Sequence, residues 1–402
     1  LRVLSISTLF PSPPQPAFGK FVANQMRSVA GRGDVDLVMV NPIGLPPGPL
    51  ASRGPYRAIR GCPATSTLDG VMIHHPRFRL IPLIGGQSNP GRIAAAVLPL
   101  ARRLHAEAPF DVIDAQFFFP DGPAAMRVAQ ALGLPLTIKA RGSDIHYWST
   151  RPSARRQLVA AARAATGMLA VSGALRRDMI ALGMPGDTIE VHYTGLDHAR
   201  FRAIDRREAR SQLRARLGLA VPDGTPLLVC PGALIAIKGQ ALAIRALAEV
   251  PDAQLALAGK GPDEATLRKL AGECGLESRV HFLGQVSHDD LPVLMAAADA
   301  VVLPSEREGL ANVWIEALAC GAPLMIPDIG GAREVVTAAA AGRIAAREPG
   351  AIATALRELI TQPPVQADVA AHAARFSWDA NAAQIADFWG RMAVKPSSSN
   401  PG

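Results

Sequence analysis

One pattern repeats along nearly the whole sequence: a short β-branched, apolar run, a turn rich in glycine or proline, and then a stretch with the spacing of an amphipathic helix. Units of this kind pair their strands in parallel and lay the intervening helices over the sheet, so they predict an α/β fold. In the first half the runs fall at Val3–Ser7, Asp36–Val40, Val112–Gln116, Leu134–Ala140, Met168–Ser172 and Thr188–His192. Six strands in one sheet are expected, with helices beginning near Gly19, Arg92, Pro123, Ser153 and Ala174. The charged stretch Arg200–Arg216 and the turn VPDGTP interrupt the rhythm, which restarts at Pro226–Pro231, Gln254–Ala258, Arg279–Leu283, Ala300–Pro304 and Pro323–Pro327.

With 402 residues the chain exceeds what one core holds, since single cores stop growing near roughly 250–300 residues. Two doubly wound, Rossmann-like domains are therefore expected, at residues 1–205 and 206–375, facing each other across a central cleft. Residues 376–392 read as an amphipathic helix crossing back to the first domain, and residues 393–402 as a disordered tail. Ligands of open α/β sheets bind beyond the carboxyl ends of the strands, so the cleft is where function should be sought.

The longest apolar stretch, Ile93–Ala101, is about half of what a membrane-spanning helix needs, so neither a membrane span nor an export signal is expected. Cys62, Cys230, Cys274 and Cys320 are too scattered for a zinc site and read as small buried hydrophobes, which fits a reducing cytoplasm. The net charge of +8 is uneven: residues 1–200 carry 22 Lys and Arg against 12 Asp and Glu, or +10, leaving 20 against 22, or −2, for the rest. Arg53, Arg57, Arg60, Arg77, Arg79, Arg92, Arg102 and Arg103 make the first domain basic. No aromatic residues interleave them as a base-stacking platform would require, so nucleic acid is not expected. A peripheral contact with the inner membrane face, or an anionic lipid-linked acceptor, fits better.

The chemistry concentrates in SEREGLANVWIEALACGAPLMIPDIGG, Ser305–Gly331, directly after a predicted strand. A helix starting near Ala311 would point the amides of Gly309, Leu310 and Ala311 outward at its positive end, where phosphate binds readily. Glu316 would lie about five residues along, or roughly 7 Å, within reach of a ribose whose hydroxyls a carboxylate accepts. Glu308, just before the helix, would face whatever lies on the other side of that diphosphate. In GALIAIKGQ, Lys238 can compensate phosphate charge. In LALAGKGPDE, Gly259 and Gly261 form a tight strand-to-helix turn, but Glu264 stands where a third glycine would complete a dinucleotide fingerprint. A nicotinamide dehydrogenase is thereby disfavoured.

Taken together, Glu308-x7-Glu316, GALIAIKG, LALAGKGP, VHFLG at 280–284, VVLPSEREG at 301–309 and the amino-terminal PDG and RGSD elements resemble retaining glycosyltransferases of family 4, in that family's order and over nearly the whole chain. The resemblance implies a GT-B fold and a retaining transfer from a UDP- or GDP-type nucleoside diphosphate sugar to a glycan or lipid-linked hydroxyl, in polysaccharide or glycolipid biosynthesis. It implies no metal and no further cofactor. Glu308 would contact the donor sugar, Gly309 and Leu310 the distal phosphate, Glu316 the ribose and Lys238 the diphosphate, while Leu283, Gly284 and Gln285 would clamp the base. Gly232 and Gly259 would border the nucleotide, and Gly19 would let the backbone approach donor and acceptor.

Two positions depart from the family pattern. Arg141, in the KARGSD element with Gly142 and Asp144, stands where many members carry His; a guanidinium cannot act as a base but can stabilise the leaving diphosphate. Arg141 and Asp144 are thus catalytic candidates beside Glu308. Ala233 replaces an Arg common in the family, removing one phosphate-binding cation. A non-catalytic sugar-nucleotide or glycan-binding subunit is the alternative that this second departure raises, and an epimerase or phosphorylase shares the architecture.

Overall fold

The computed structural model describes residues 1–54, 56–82 and 85–394. The chain divides into two compact units, one made of Leu1–Gly195 and the segment from Trp378 onward, the other of Leu196–Ser377.

Ten strands belong to the first unit. They are β1 (Arg2–Ile6), β2 (Asp36–Val40), β3 (Ile43–Leu45), β4 (Thr65–Leu68), β5 (Val71–His74), β6 (Arg77–Arg79), β7 (Val112–Ala115), β8 (Leu136–Ala140), β9 (Gly167–Ala170) and β10 (Ile189–Val191). Eight of them form one sheet in the order β10-β9-β8-β7-β1-β2-β5-β4, while β3 and β6 pair separately. The six-strand expectation thus falls short by a hairpin, β4 antiparallel to β5. Its turn is Asp69-Gly70, both with positive φ, a strong hairpin signal that the sequence reading passed over. Val71 and Ile73 alternate into the core.

Six strands follow in the second unit: β11 (Leu227–Pro231), β12 (Gln254–Ala258), β13 (Val280–Gly284), β14 (Ala300–Val302), β15 (Leu324–Ile326) and β16 (Gly342–Ile344). All are parallel, in the order β13-β12-β11-β14-β15-β16. The charged stretch expected to divide the domains is instead a helix of this unit, Arg206–Leu217. Asp205 caps it by accepting from the amides of Arg207 and Glu208, and Ala209 and Leu213 are buried. Periodic burial of two small apolar positions outweighs the charge around them. The division falls earlier than residue 205, at Gly195.

Helix Trp378–Ala393 packs on the first unit, placing Ala382, Ile385, Phe388 and Trp389 in the core that Val3, Met26, Met39 and Val112 share. The tail expected at 393–402 lies, beyond Val394, outside the described residues.

Candidate active site

Both sheets reverse strand order beside their first strand, between β1 and β7 and between β11 and β14. Crevices open at the carboxyl ends of strands at such points. In the second unit the loop after β11 carries Gly232, Ala233 and Lys238. It lies on the loop after β12, with the Gly232 N–H donating to the Ala258 carbonyl (2.9 Å) and the Leu234 N–H to that of Lys260 (3.1 Å). Gly259 and Gly261 make this approach possible: a Cβ on either would overlap the carbonyl oxygen of Gly232 or Leu234.

Lys238 ends a single 3₁₀ turn, Ala236–Lys238, and Gly239 at φ 74° leads into the helix Gln240–Leu247. The Glu306 N–H donates to the Ile237 carbonyl (2.8 Å), fastening this loop to the one after β14. Across that seam Lys238 Nζ meets Glu308 Oε1 at 2.6 Å, with both side chains mostly withdrawn from solvent. The Gly331 N–H donates to the Gly309 carbonyl (2.7 Å), and Gly330, at φ 48°, lies where a Cβ would overlap the Glu308 carbonyl oxygen. From this pinned turn helix Asn312–Ala319 starts, with Ala311 at its N-cap. Its first-turn amides have no intrahelical acceptor.

The result is a cleft of about 470 Å³ that gathers Gly232, Lys238, Gly259, Gln285, Glu308, Ala311 and Glu316. Gly309 and Leu310 belong to the turn behind it, and Leu283 and Gly284, at the end of β13, do not line it. Sequence reasoning missed the ion pair, having assigned Lys238 and Glu308 to different parts of one ligand. It also passed over Lys260, which lines the same cleft.

Burial pushes the Glu316 carboxyl up from its usual 4.5 to about 7. The folded protein therefore binds this proton more tightly than the unfolded chain, and stability falls as pH rises from about 4.5 to about 7. At about 1.4 kcal/mol per pKa unit, ionising Glu316 costs the empty protein about 2–4 kcal/mol above pH 7. Glu316→Gln is expected to raise the melting temperature markedly at pH 8 and little at pH 5. Equal shifts at both pH values in thermal melts would count against a strained carboxylate.

Arg141, Asp144 and Gly19 lie in the first unit. Asp144 is fully buried; one carboxylate oxygen accepts from the Phe118 N–H (2.6 Å), the other from the amides of Arg141 (3.0 Å) and Gly142 (2.8 Å). Its carboxylate thus holds the loop from Arg141 to Asp144 against Phe118. Arg141 donates from Nε to the Gln116 carbonyl (2.6 Å) and from one terminal nitrogen to the side-chain oxygens of Gln116 (2.7 Å) and Gln25 (3.0 Å). Burial lowers its pKa to about 10, which still leaves it charged. Gly19, at φ 66°, precedes helix Lys20–Ala30, and a Cβ there would collide with the Leu9 carbonyl.

Behind Arg141 runs a polar circuit that the sequence does not announce. Lys139 Nζ, fully buried in β8, contacts Gln25 Oε1 (3.2 Å) and His192 Nδ1 (2.8 Å), and His192 Nε2 donates to the Asn381 carbonyl (2.9 Å). On the other side Gln116 Nε2 donates to buried Asp114 (2.7 Å), which also accepts from Trp389 Nε1 (3.1 Å). The circuit begins and ends on helix Trp378–Ala393, and Arg141 is its partly exposed member.

Residues 212–376 match the family described as Glycosyl transferases group 1, and residues 62–200 match Glycosyltransferase Family 4. A GDP-mannose-dependent monoacylated alpha-(1-6)-phosphatidylinositol monomannoside mannosyltransferase of Corynebacterium glutamicum is 31% identical over 71% of this chain and 79% of its own. A D-inositol 3-phosphate glycosyltransferase of Catenulispora acidiphila is 28% identical over 82% of each chain. Among solved structures, HepE of Anabaena in complex with UDP superposes with a TM-score of 0.73 at 23% identity, covering 97% of this chain and 100% of that one, a likeness of fold.

Proposed function

This chain belongs to glycosyltransferase family 4, and from that premise we propose that its second unit holds a UDP- or GDP-type sugar with the diphosphate at the start of helix Asn312–Ala319. The protein is a retaining glycosyltransferase of the GT-B fold that moves a sugar from a nucleoside diphosphate sugar to a hydroxyl acceptor, and polysaccharide or glycolipid biosynthesis is the setting.

The observation that carries the donor assignment is the convergence, at one topological switch point, of a helix start, the Lys238–Glu308 pair and Glu316 in a single cleft. The departing diphosphate needs positive charge aimed at it beforehand; the amides at the start of helix Asn312–Ala319, from its N-cap Ala311 onward, and the Lys238 ammonium supply it. Glu308 faces the donor sugar, where its carboxylate accepts from hydroxyls, and Glu316 accepts from the ribose. Gly232, Gly259 and Gln285 border the nucleotide, with Leu283 and Gly284 setting the course of the backbone there. In the first unit, where Gly19 keeps the backbone open to substrate, Arg141 stabilises negative charge and Asp144 acts through the loop it shapes.

For the acceptor we propose a glycan or lipid-linked hydroxyl, with the first unit resting on an anionic membrane surface on the cytoplasmic side. Helix Tyr56–Arg60 buries none of its residues, Leu50 is half exposed beside it, and Arg53, Arg57 and Arg60 face solvent. Among the described residues no helix is long and apolar enough to cross a membrane.

Calorimetry with UDP, GDP and ADP, followed by transfer assays with the matching sugars, tests the donor reading. Micromolar binding of UDP or GDP that Glu316→Ala weakens, with an axial donor linkage kept in the product, is the expected outcome. Binding of neither nucleotide would overturn it, and failure to float with anionic vesicles would remove the membrane contact.

A further inference from the structure

We propose that Lys260 is the second cation for the donor's diphosphate, in a cleft whose other lysine is already paired. The inference rests on the donor-site reading above and adds a residue to it.

A nucleoside diphosphate brings at least two negative charges to a cleft that already holds the carboxylates of Glu308 and Glu316. Lys238 reaches this cleft, but its ammonium lies 2.6 Å from Glu308, so much of its charge is spent before a ligand arrives. At position 233, on the same wall, stands an exposed alanine with no charge to add. Lys260 is the other cation lining the cleft. It is exposed, and among the described residues it forms no ion pair.

Local geometry aims it. The hydrogens of Gly259 and Gly261 where a Cβ would stand both face the Gly232–Leu234 loop, without room for a carbon. Lys260, between them, is exposed and lines the cleft. Its backbone is held by the Leu234 N–H at 3.1 Å, and its stem passes Gly284, whose absent Cβ would lie 3.6 Å from Lys260 Cε. The loop is thus rigid at its root, and the flexible side chain carries an unspent charge over the cleft. A lysine of this kind acts as a point charge, so its effect should follow charge and salt rather than the identity of the base.

Calorimetry of UDP and GDP binding to the full chain tests this, with thermal melts to show that each variant is folded. Lys260→Gln is expected to weaken nucleoside diphosphate binding about tenfold, to flatten its salt dependence and to leave the UDP-to-GDP preference unchanged, while Lys260→Arg stays within about twofold of the parent. Moving the cation to the neighbouring loop, with Ala233→Arg added to Lys260→Gln, should restore most of the loss. A Lys260→Gln protein that binds as the parent does, or that changes base preference with the salt dependence intact, overturns the inference alone, provided Glu316→Ala weakens binding. If the parent chain takes up neither nucleotide, the donor-site reading fails and this inference with it.

Discussion

Glu308→Gln is expected to lower turnover roughly 10²–10³-fold while free nucleoside diphosphate binds as tightly as before or more tightly. The split follows from where the carboxylate sits. It is fixed by Lys238 at 2.6 Å, on a turn that Gly330 and Gly331 hold from behind, so on the proposed donor reading it would meet the sugar without having to reorganise. A preset negative group beside a sugar that gains positive character is worth more in the transition state than in the ground state. The amide of Gln keeps the shape and loses the charge. Lys238, released from its partner, then has its whole charge for the diphosphate, which is why affinity for the free nucleotide should hold or rise. Steady-state kinetics with calorimetry on the same preparation decides the matter: a proportional loss of turnover and nucleotide affinity would place Glu308 in nucleotide binding instead.

Trp389→Ala is expected to destabilise the first unit by about 3–5 kcal/mol, the cost of emptying a large aromatic site. Trp389 is fully buried in the apolar core that includes Val3, Met26, Met39 and Val112. Its indole N–H is also one of four donors to Asp114, with Ser5, Gln116 and Thr137 the others. Burial raises the pKa of this carboxyl, and each lost donor raises it further. Trp389→Phe, which keeps most of the volume, should cost far less, about 1 kcal/mol for the hydrogen bond. Urea unfolding of the full chain separates the two: similar losses from both variants would mean that the hydrogen bond, not the packing, dominates.

Much of this architecture is legible because its signals are local. The strands from Asp36 and Gln254 fall where β-branched and apolar runs put them, and the helix after Gly309 starts where a glycine-rich turn meets an apolar stripe. The hairpin at Asp69-Gly70 is equally local, an Asp-Gly turn between two four-residue strands that the sequence reading passed over. Lys139 is different in kind. A lysine inside KARGSD gives no hint of complete burial, because what makes burial tolerable are Gln25 and His192, brought from distant parts of the chain. Lys238 and Glu308 were each legible as site residues, but not as a pair, since only the seam between the loops after β11 and β14 brings them within hydrogen-bond reach. Gly259 and Gly261 read as a fragment of a nucleotide fingerprint, and the fold uses them as clearance for a neighbouring backbone.

The helix from Trp378 to Ala393 seals a core whose first strand begins at Arg2. A ribosome making this protein therefore releases the first half of the sequence long before its hydrophobic interior can close. Until translation reaches Trp389, the surface around Met26 and Val112 must wait uncovered. For the same reason a fragment ending at Gly195 should be sticky when produced by itself, whereas a permuted gene that begins at Trp378 would supply the closing helix first.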